Sequence, residues 1–334
     1  MRSVKNILMH LAAATVAVAL GGAAARAAFP QDAAGQTAGQ APEQAGTIKS
    51  QVNLVNVFAT VRDKNKRIMT DLKQEDFKIE EDNQDQKIAF FSKESTLPIT
   101  LAMLLDTSGS EQFMLGGIQE AGSSFLTRVL RKGDEALVMS FDTDVDLLSD
   151  FTDDRAQLDR AVRRTRINTP GGGMIAGNPG PVGTQHVTGT ALYDAIYLAC
   201  SEKLDTEAGR KAIVIVTDAQ DEGSRVKIDE AIESAQRTNT VIHILLVADP
   251  HFGANVGAAK KLTDETGGRV ISVSSEKKLA QAFDEISEEL RSQYMLGYYP
   301  TNNARDGKYR KIKVDTTNHD LKVLARKGYY APKE

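Results

Sequence analysis

The chain has 334 residues, 41% of them hydrophobic and 26% charged, with one cysteine and no tryptophan. This is the composition of an ordinary globular protein of one to three domains, with ample length for a sizeable core. A formal net charge of −4 argues against nucleic acid as the main partner, and the lone Cys200 excludes an intrachain disulfide.

Arg2 and Lys5 precede an apolar stretch of fourteen residues, Ile7 to Leu20, and Ala25-Arg26-Ala27 is a small-x-small cleavage site. That is the pattern of a secretory signal peptide over residues 1–27. The stretch falls short of the roughly 20 apolar residues that a spanning helix needs. No later segment is apolar for that length, so no membrane span is expected after cleavage. An exported chain, periplasmic or secreted, is the expectation, and cleavage would leave 38 basic and 45 acidic side chains, a net charge of −7. Residues 28–49, rich in Ala, Gln, Gly and Pro, read as a disordered linker.

Residues 50–96 read as the N-terminal part of a β module. Val55, Val57, Ala59 and Val61 alternate with other side chains, the mark of a half-buried strand. Asp71 to Phe77 reads as one helical turn, and Lys78 to Phe91 as two strands around an acidic turn. Three short strands bury too little to stand alone. Gln293–Tyr299, Tyr309–Val314 and Leu321–Ala325, within 293–334, are three more strand-like runs. One antiparallel β module built from both flanks is therefore expected, with residues 97–292 inserted between them.

Within 97–292 the pattern is β-α repeated. An apolar strand, 99–105, feeds a helix over 111–131 whose stripe is Phe113, Ile118, Ala121, Gly122, Phe125 and Val129. Ala136–Phe141 and Val145–Leu148 form a hairpin-like pair around Asp142-Thr-Asp144, and 154–166 is a helix with its arginines on the wet side. Strand 212–217, helix 226–237, strand 241–247, helix 255–266, strand 270–273 and helix 277–292 follow. Such alternation predicts an α/β fold, a Rossmann-like doubly wound, mostly parallel sheet covered by helices on both faces. Cys200 shares a stripe with Leu192, Ile196 and Ala199 and reads as a buried structural thiol. His243, inside a strand, reads as a satisfied core residue. Residues 168–189 hold six glycines before Gly189 and three prolines, which forbid regular structure; this loop should carry Met174, Ile175 and His186 to the rim of any site nearby.

The run Ile99 to Leu105 ends at Asp106, followed by Ser108 and Ser110, on a strand-to-helix turn. Open α/β sheets place ligands at such carboxyl ends. A carboxylate and two hydroxyls are hard oxygen ligands suited to Mg²⁺ or Ca²⁺. Gly189-Thr190 at a helix start and Thr217-Asp218 at the end of a second apolar strand offer further oxygens. This ordered set resembles the metal-ion-dependent adhesion site (MIDAS) of a von Willebrand factor A (VWA) domain. The resemblance implies that Asp106, Ser108, Ser110, Thr190 and Asp218 gather round one divalent cation, Mg²⁺ (or Ca²⁺ or Mn²⁺), some of them through water. It implies also that an Asp or Glu carboxylate of a partner protein completes the shell, in a non-catalytic binding or adhesion module. Many relatives follow the last aspartate with glycine, where this chain has Ala219. Asp71–Phe77, Tyr294-x-Leu296-Gly-Tyr-Tyr299-Pro and Arg326-Lys-Gly-Tyr-Tyr330, taken with the signal peptide and the VWA core, are similar to exported bacterial VWFA-related proteins.

Rival chemistries lack their residues. Asp106-Thr-Ser is not the Asp-Thr-Gly of aspartic proteases, and Ser108 stands where a haloacid-dehalogenase phosphatase needs a second aspartate. No Gly-Lys-Ser/Thr follows Gly171–Gly173, and no histidine pair has zinc-ligand spacing. A structural envelope protein whose cation only stabilises the fold, or a metal-assisted hydrolase, are the alternative readings.

Overall fold

Unbroken apolar runs within two strands, Leu101–Leu105 of Ile99–Asp106 and Ala212–Val216 of Arg210–Thr217, require cover on both faces. The computed structural model of the chain describes residues 54–93, 97–167, 189–248 and 253–333. The signal peptide and linker expected over 1–49, and the loop carrying Met174, Ile175 and His186, lie outside the described residues. In chain order, strands β1 (Val55–Arg62), β2 (Phe77–Glu81), β3 (Gln84–Gln86), β4 (Ile88–Ser92) and β5 (Ile99–Asp106) lead to helix α1 (Leu115–Val129). Then come β6 (Glu135–Phe141), β7 (Val145–Thr152), α2 (Arg155–Arg163), α3 (Leu192–Leu198), β8 (Arg210–Thr217), α4 (Ile228–Arg237) and β9 (Thr240–Val247). The chain closes with α5 (Val256–Thr266), β10 (Val270–Val273), α6 (Glu276–Arg291), β11 (Tyr294–Tyr298), β12 (Tyr309–Thr316), β13 (Lys322–Ala325) and β14 (Gly328–Tyr330).

The central sheet has the order β10-β9-β8-β5-β6-β7, parallel except for the edge strand β7. Period-2 alternation sends successive side chains of β5 to opposite faces. Leu101, Met103 and Leu105 pack with α1, α2 and α6, where Phe125 and Phe283 stack with ring centroids 4.8 Å apart. Ala102 and Leu104 pack on the other face with α3, α4 and α5. The chain is thus a mixed α/β protein with a doubly wound sheet. Its strand order reverses at β5, so the crevice opens at the carboxyl ends of β5 and β8. Parallel register sets Leu105 opposite Val216 and Asp106 opposite Phe141, which aligns the ends of all three strands.

The flanking strands pair with one another in two antiparallel sheets, β13-β1-β11-β4 and β14-β12-β2-β3. They share one core of Val57, Val61, Phe77, Ile79, Tyr294, Leu296, Tyr298 and Ile312. Where two strands are expected over 78–91 there are three, divided between the two sheets. Asp82 and Asn83 turn the β2–β3 hairpin with φ of 49° and 64°. That left-handed pair is what a two-residue primed turn needs, and Asp and Asn tolerate it best. A fourth C-terminal strand, β14, is likewise absent from the expectation. The buried carboxylate of Glu81 accepts hydrogen bonds from the Tyr298 hydroxyl at 2.7 Å and the Tyr329 hydroxyl at 3.0 Å, pinning β2 to β11 and β14. Arg62 of β1 and Arg269 donate to Glu289 of α6 at 2.9 and 2.5 Å, joining the flanking sheets to the central layer.

Two local expectations need correction. The helix expected over 111–131 begins only at Leu115, because Gly109–Glu111 closes a 3₁₀ turn first. Phe113, placed on its buried stripe, is instead 50% exposed. His243 is fully buried, but neither ring nitrogen has a hydrogen-bond partner among the described residues, so it is not a satisfied core histidine. Cys200 is buried as expected, in a π-helical continuation of α3. No helix among the described residues is long and apolar enough to cross a membrane.

Candidate metal centre

The apolar interior of β5 carries Asp106 to the end of the strand, where it stays buried at 1% exposure. One carboxylate oxygen, Oδ1, accepts the backbone N–H of Ser108 at 2.9 Å, a local turn typical of aspartate. The other, Oδ2, accepts the Thr217 hydroxyl at 2.6 Å, which ties the end of β5 to the end of β8. The Ser108 and Ser110 hydroxyls lie 2.9 Å apart, so the two side chains face the same point. Asp218, 2% exposed, uses its own Oδ1 to accept the N–H of Gln220 at 2.9 Å. Next to it Ala219 adopts φ of 60°, a left-handed conformation that glycine takes without cost and alanine at roughly 1 kcal/mol.

Thr190, 8% exposed, is held through its backbone. Its carbonyl accepts the N–H groups of Glu222 and Gly223, both at 3.2 Å, and the following N–H, of Ala191, donates to the Asp142 carbonyl at 2.6 Å. Gly189 lies so close to Gly223 that a Cβ there would meet its Cα at 3.3 Å. The segment entering α3 and the loops after β6 and β8 are thereby stitched side by side. Near these loop ends, Asp142 accepts from the Thr107 hydroxyl at 3.3 Å and Asp221 from the Ser224 hydroxyl at 2.5 Å. Glu222 is exposed. A cleft of about 380 Å³ beside Asp218 is lined by Gln220, Asp221, Glu222, Ala254 and Asn255. The larger cavity, about 700 Å³, lies elsewhere, between Arg62 and Arg291.

Of the five expected residues, Asp106 and Asp218 are brought together, and a residue outside the five stands with them. Glu111 is fully buried, and its carboxylate, with those of Asp106 and Asp218, offers oxygens that all lie within 4.8 Å of one another. Its residue type gave no sign of this: an acid after Ser110 reads as the solvated start of a helix. The one available signal is its place, five residues after Asp106, on the same turn as the two serines.

Three buried carboxylates at this spacing repel one another and lose their hydration. Burial drives the Asp106 carboxyl up to about 7, against the hydrogen bonds from Ser108 and Thr217, and the Asp218 charge adds to the rise. A divalent cation would remove the conflict. Two oxygens on opposite sides of an ion at about 2.0–2.6 Å stand roughly 4–5 Å apart, and the oxygens of the cluster lie no farther apart than 4.8 Å. The donor set is all oxygen, carboxylate and hydroxyl, which suits Mg²⁺, Ca²⁺ or Mn²⁺ rather than a thiolate-seeking metal.

No family model matches the chain, and no curated protein matches it in sequence. Solved structures do. The chain is similar to a von Willebrand factor type A protein from Catenulispora acidiphila, with 13% identity over 79% of this chain and 75% of that one and a TM-score of 0.49. It is similar also to the vWF domain of the type V pili tip protein Mfa5 from Porphyromonas gingivalis, at 15% identity over 58% and 95% of the two chains, TM-score 0.43. A third is proximal thread matrix protein 1 of the mussel byssus with a zinc-occupied MIDAS motif, at 16% identity over 60% and 47%, TM-score 0.45. Its neighbours among solved structures are von Willebrand factor type A domain proteins.

Proposed function

We propose that this chain is an exported, non-catalytic protein-binding module that grips its partner through a divalent cation. Asp106, Ser108, Ser110, Thr190 and Asp218 would hold the ion, directly or through water, and an Asp or Glu carboxylate of a partner protein would reach it from the crevice. Mg²⁺ is the first candidate, with Ca²⁺ and Mn²⁺ suited to the same donors. The observation that carries this reading is the convergence of buried carboxylates from the ends of β5 and β8 within 4.8 Å. Support for export is the sequence of residues 1–27, and the mature protein would act in the periplasm or outside the cell. On this reading residues 97–292 form the VWA domain, and 50–96 with 293–334 form a β module that carries it.

A second reading has its own observation. Asp106, Glu111 and Asp218 are exposed by no more than 2%, which suits an ion that only neutralises the core and stabilises the fold. Partner capture from the cell envelope separates the two. The tagged protein, incubated with an envelope extract, is washed in Mg²⁺ or in EDTA, beside Asp106→Ala. Partners retained in Mg²⁺ and lost both in EDTA and in the variant support the binding module. Partners retained equally in all three place the interface away from the cation.

A further inference from the structure

Between Ser110 and α1 the usual burial order is inverted. Glu111 has no exposed surface, whereas Gln112 is exposed and the aromatic Phe113 is 50% exposed, before Met114 returns to the core. A charged side chain goes inside and an aromatic one stays in water, each against its transfer preference. Local rules broken together in this way mark functional sites, provided that something at the site compensates the buried charge.

The turn explains how Glu111 is delivered. Ser108 is extended, with ψ of 162°, and Gly109–Glu111 then closes a single 3₁₀ turn in which the Glu111 N–H donates to the Ser108 carbonyl at 3.1 Å. On this turn the Ser108 and Ser110 hydroxyls meet at 2.9 Å, and the Glu111 carboxylate comes within 4.8 Å of those of Asp106 and Asp218. Charge decides the consequence. Two aspartates neutralise a divalent ion and leave it able to take an anionic ligand from outside. A third carboxylate brings the set to three negative charges against two positive, and a further anion is then opposed by Coulomb repulsion that low-dielectric surroundings strengthen.

We infer that Glu111 takes, from within the chain, the position on the cation that a partner's carboxylate would otherwise fill. The site at rest is then self-ligated, and an acidic partner must displace Glu111 before it binds. This rests on the cation reading above, and it makes Glu111 the residue that sets how readily the site accepts an external carboxylate.

The test uses Mn²⁺ as the ion and acetate as the carboxylate probe, on the full chain and on Glu111→Gln and Glu111→Ala. Glu111→Gln keeps the shape of the side chain, so a failure of Glu111→Ala to fold leaves the test intact. Mn²⁺ affinity is measured by titration, and the water-proton relaxation per bound ion reports how many waters the ion keeps. Both variants are expected to bind Mn²⁺ at least about 10-fold more weakly and to show higher relaxation per bound ion. Acetate should lower that relaxation in the variants at concentrations that leave the wild type unchanged. If wild type binds Mn²⁺ and the variants match it in affinity, relaxation and acetate response, Glu111 is not a ligand and the inference fails alone. If wild type binds no Mn²⁺, the cation reading falls and this inference with it.

Discussion

His243 should set an acid limit on this fold. It sits in the middle of β9, fully buried, with both ring nitrogens lacking hydrogen-bond partners among the described residues. Burial lowers its pKa from 6.5 to about 4; the Glu289 charge opposes this, and Arg269 and Arg62 reinforce it. A base with a depressed folded pKa binds fewer protons when folded than when unfolded. Its contribution is therefore fully present above about pH 6.5 and is lost as pH falls toward 4. At roughly 1.4 kcal/mol per pKa unit, the loss between pH 7.5 and 4.5 is on the order of 2–3 kcal/mol. His243→Leu, a swap of similar volume, should change stability at pH 7.5 by less than about 1.5 kcal/mol. Urea unfolding of both proteins across this range should show the wild type losing on the order of 2–3 kcal/mol more than the variant. Parallel pH profiles would refute the reasoning, since they would mean that the ring is protonated in the folded state or not buried there.

Two further expectations concern buried groups. Glu289→Ala strands Arg62 and Arg269, whose side chains are 11% and 18% exposed, and should cost about 3–5 kcal/mol in chemical denaturation; a loss below about 1 kcal/mol would show the pair to be surface-like. The Cys200 thiol is buried and pushed up to about 11 by that burial, so a thiol reagent should label it only as fast as the protein opens. Labelling of the native protein at the rate of a free thiol would contradict this placement.

The central sheet was legible because its signal is long. β5 and β8 each carry an unbroken apolar run, Leu101–Leu105 and Ala212–Val216, and two such runs bounded by polar turns admit few other readings. The ends of those strands were legible with them, since Asp106 and Asp218 stop the apolar runs. The missing glycine after Asp218 was also informative: Ala219 stands in the left-handed conformation, at φ 60°, that glycine favours. The three-residue strands β3 and β14 were not legible, because three residues cannot display a period, and each only adds a short ladder to a neighbour, β3 to β2 across a two-residue turn and β14 to β12. Glu111 and Phe113 were illegible for a different reason. Periodicity ranks residues by polarity, and here polarity and burial are exchanged, for reasons that lie in the neighbouring strand ends rather than in the segment itself.

The central claim is that Asp106, Asp218 and the hydroxyls beside them bind a divalent cation. Thermal melting in Mg²⁺ and in EDTA tests it most directly, with Asp106→Ala and Asp218→Asn alongside the wild type. At a Mg²⁺ concentration 100 times its dissociation constant the ion should stabilise the wild type by about 2.7 kcal/mol, raising Tm by roughly 5–10 °C. The two variants should melt at the same temperature with and without the ion. A wild-type Tm unmoved by millimolar Mg²⁺, Ca²⁺ and Mn²⁺ alike, or an equal rise in all three proteins, would contradict it.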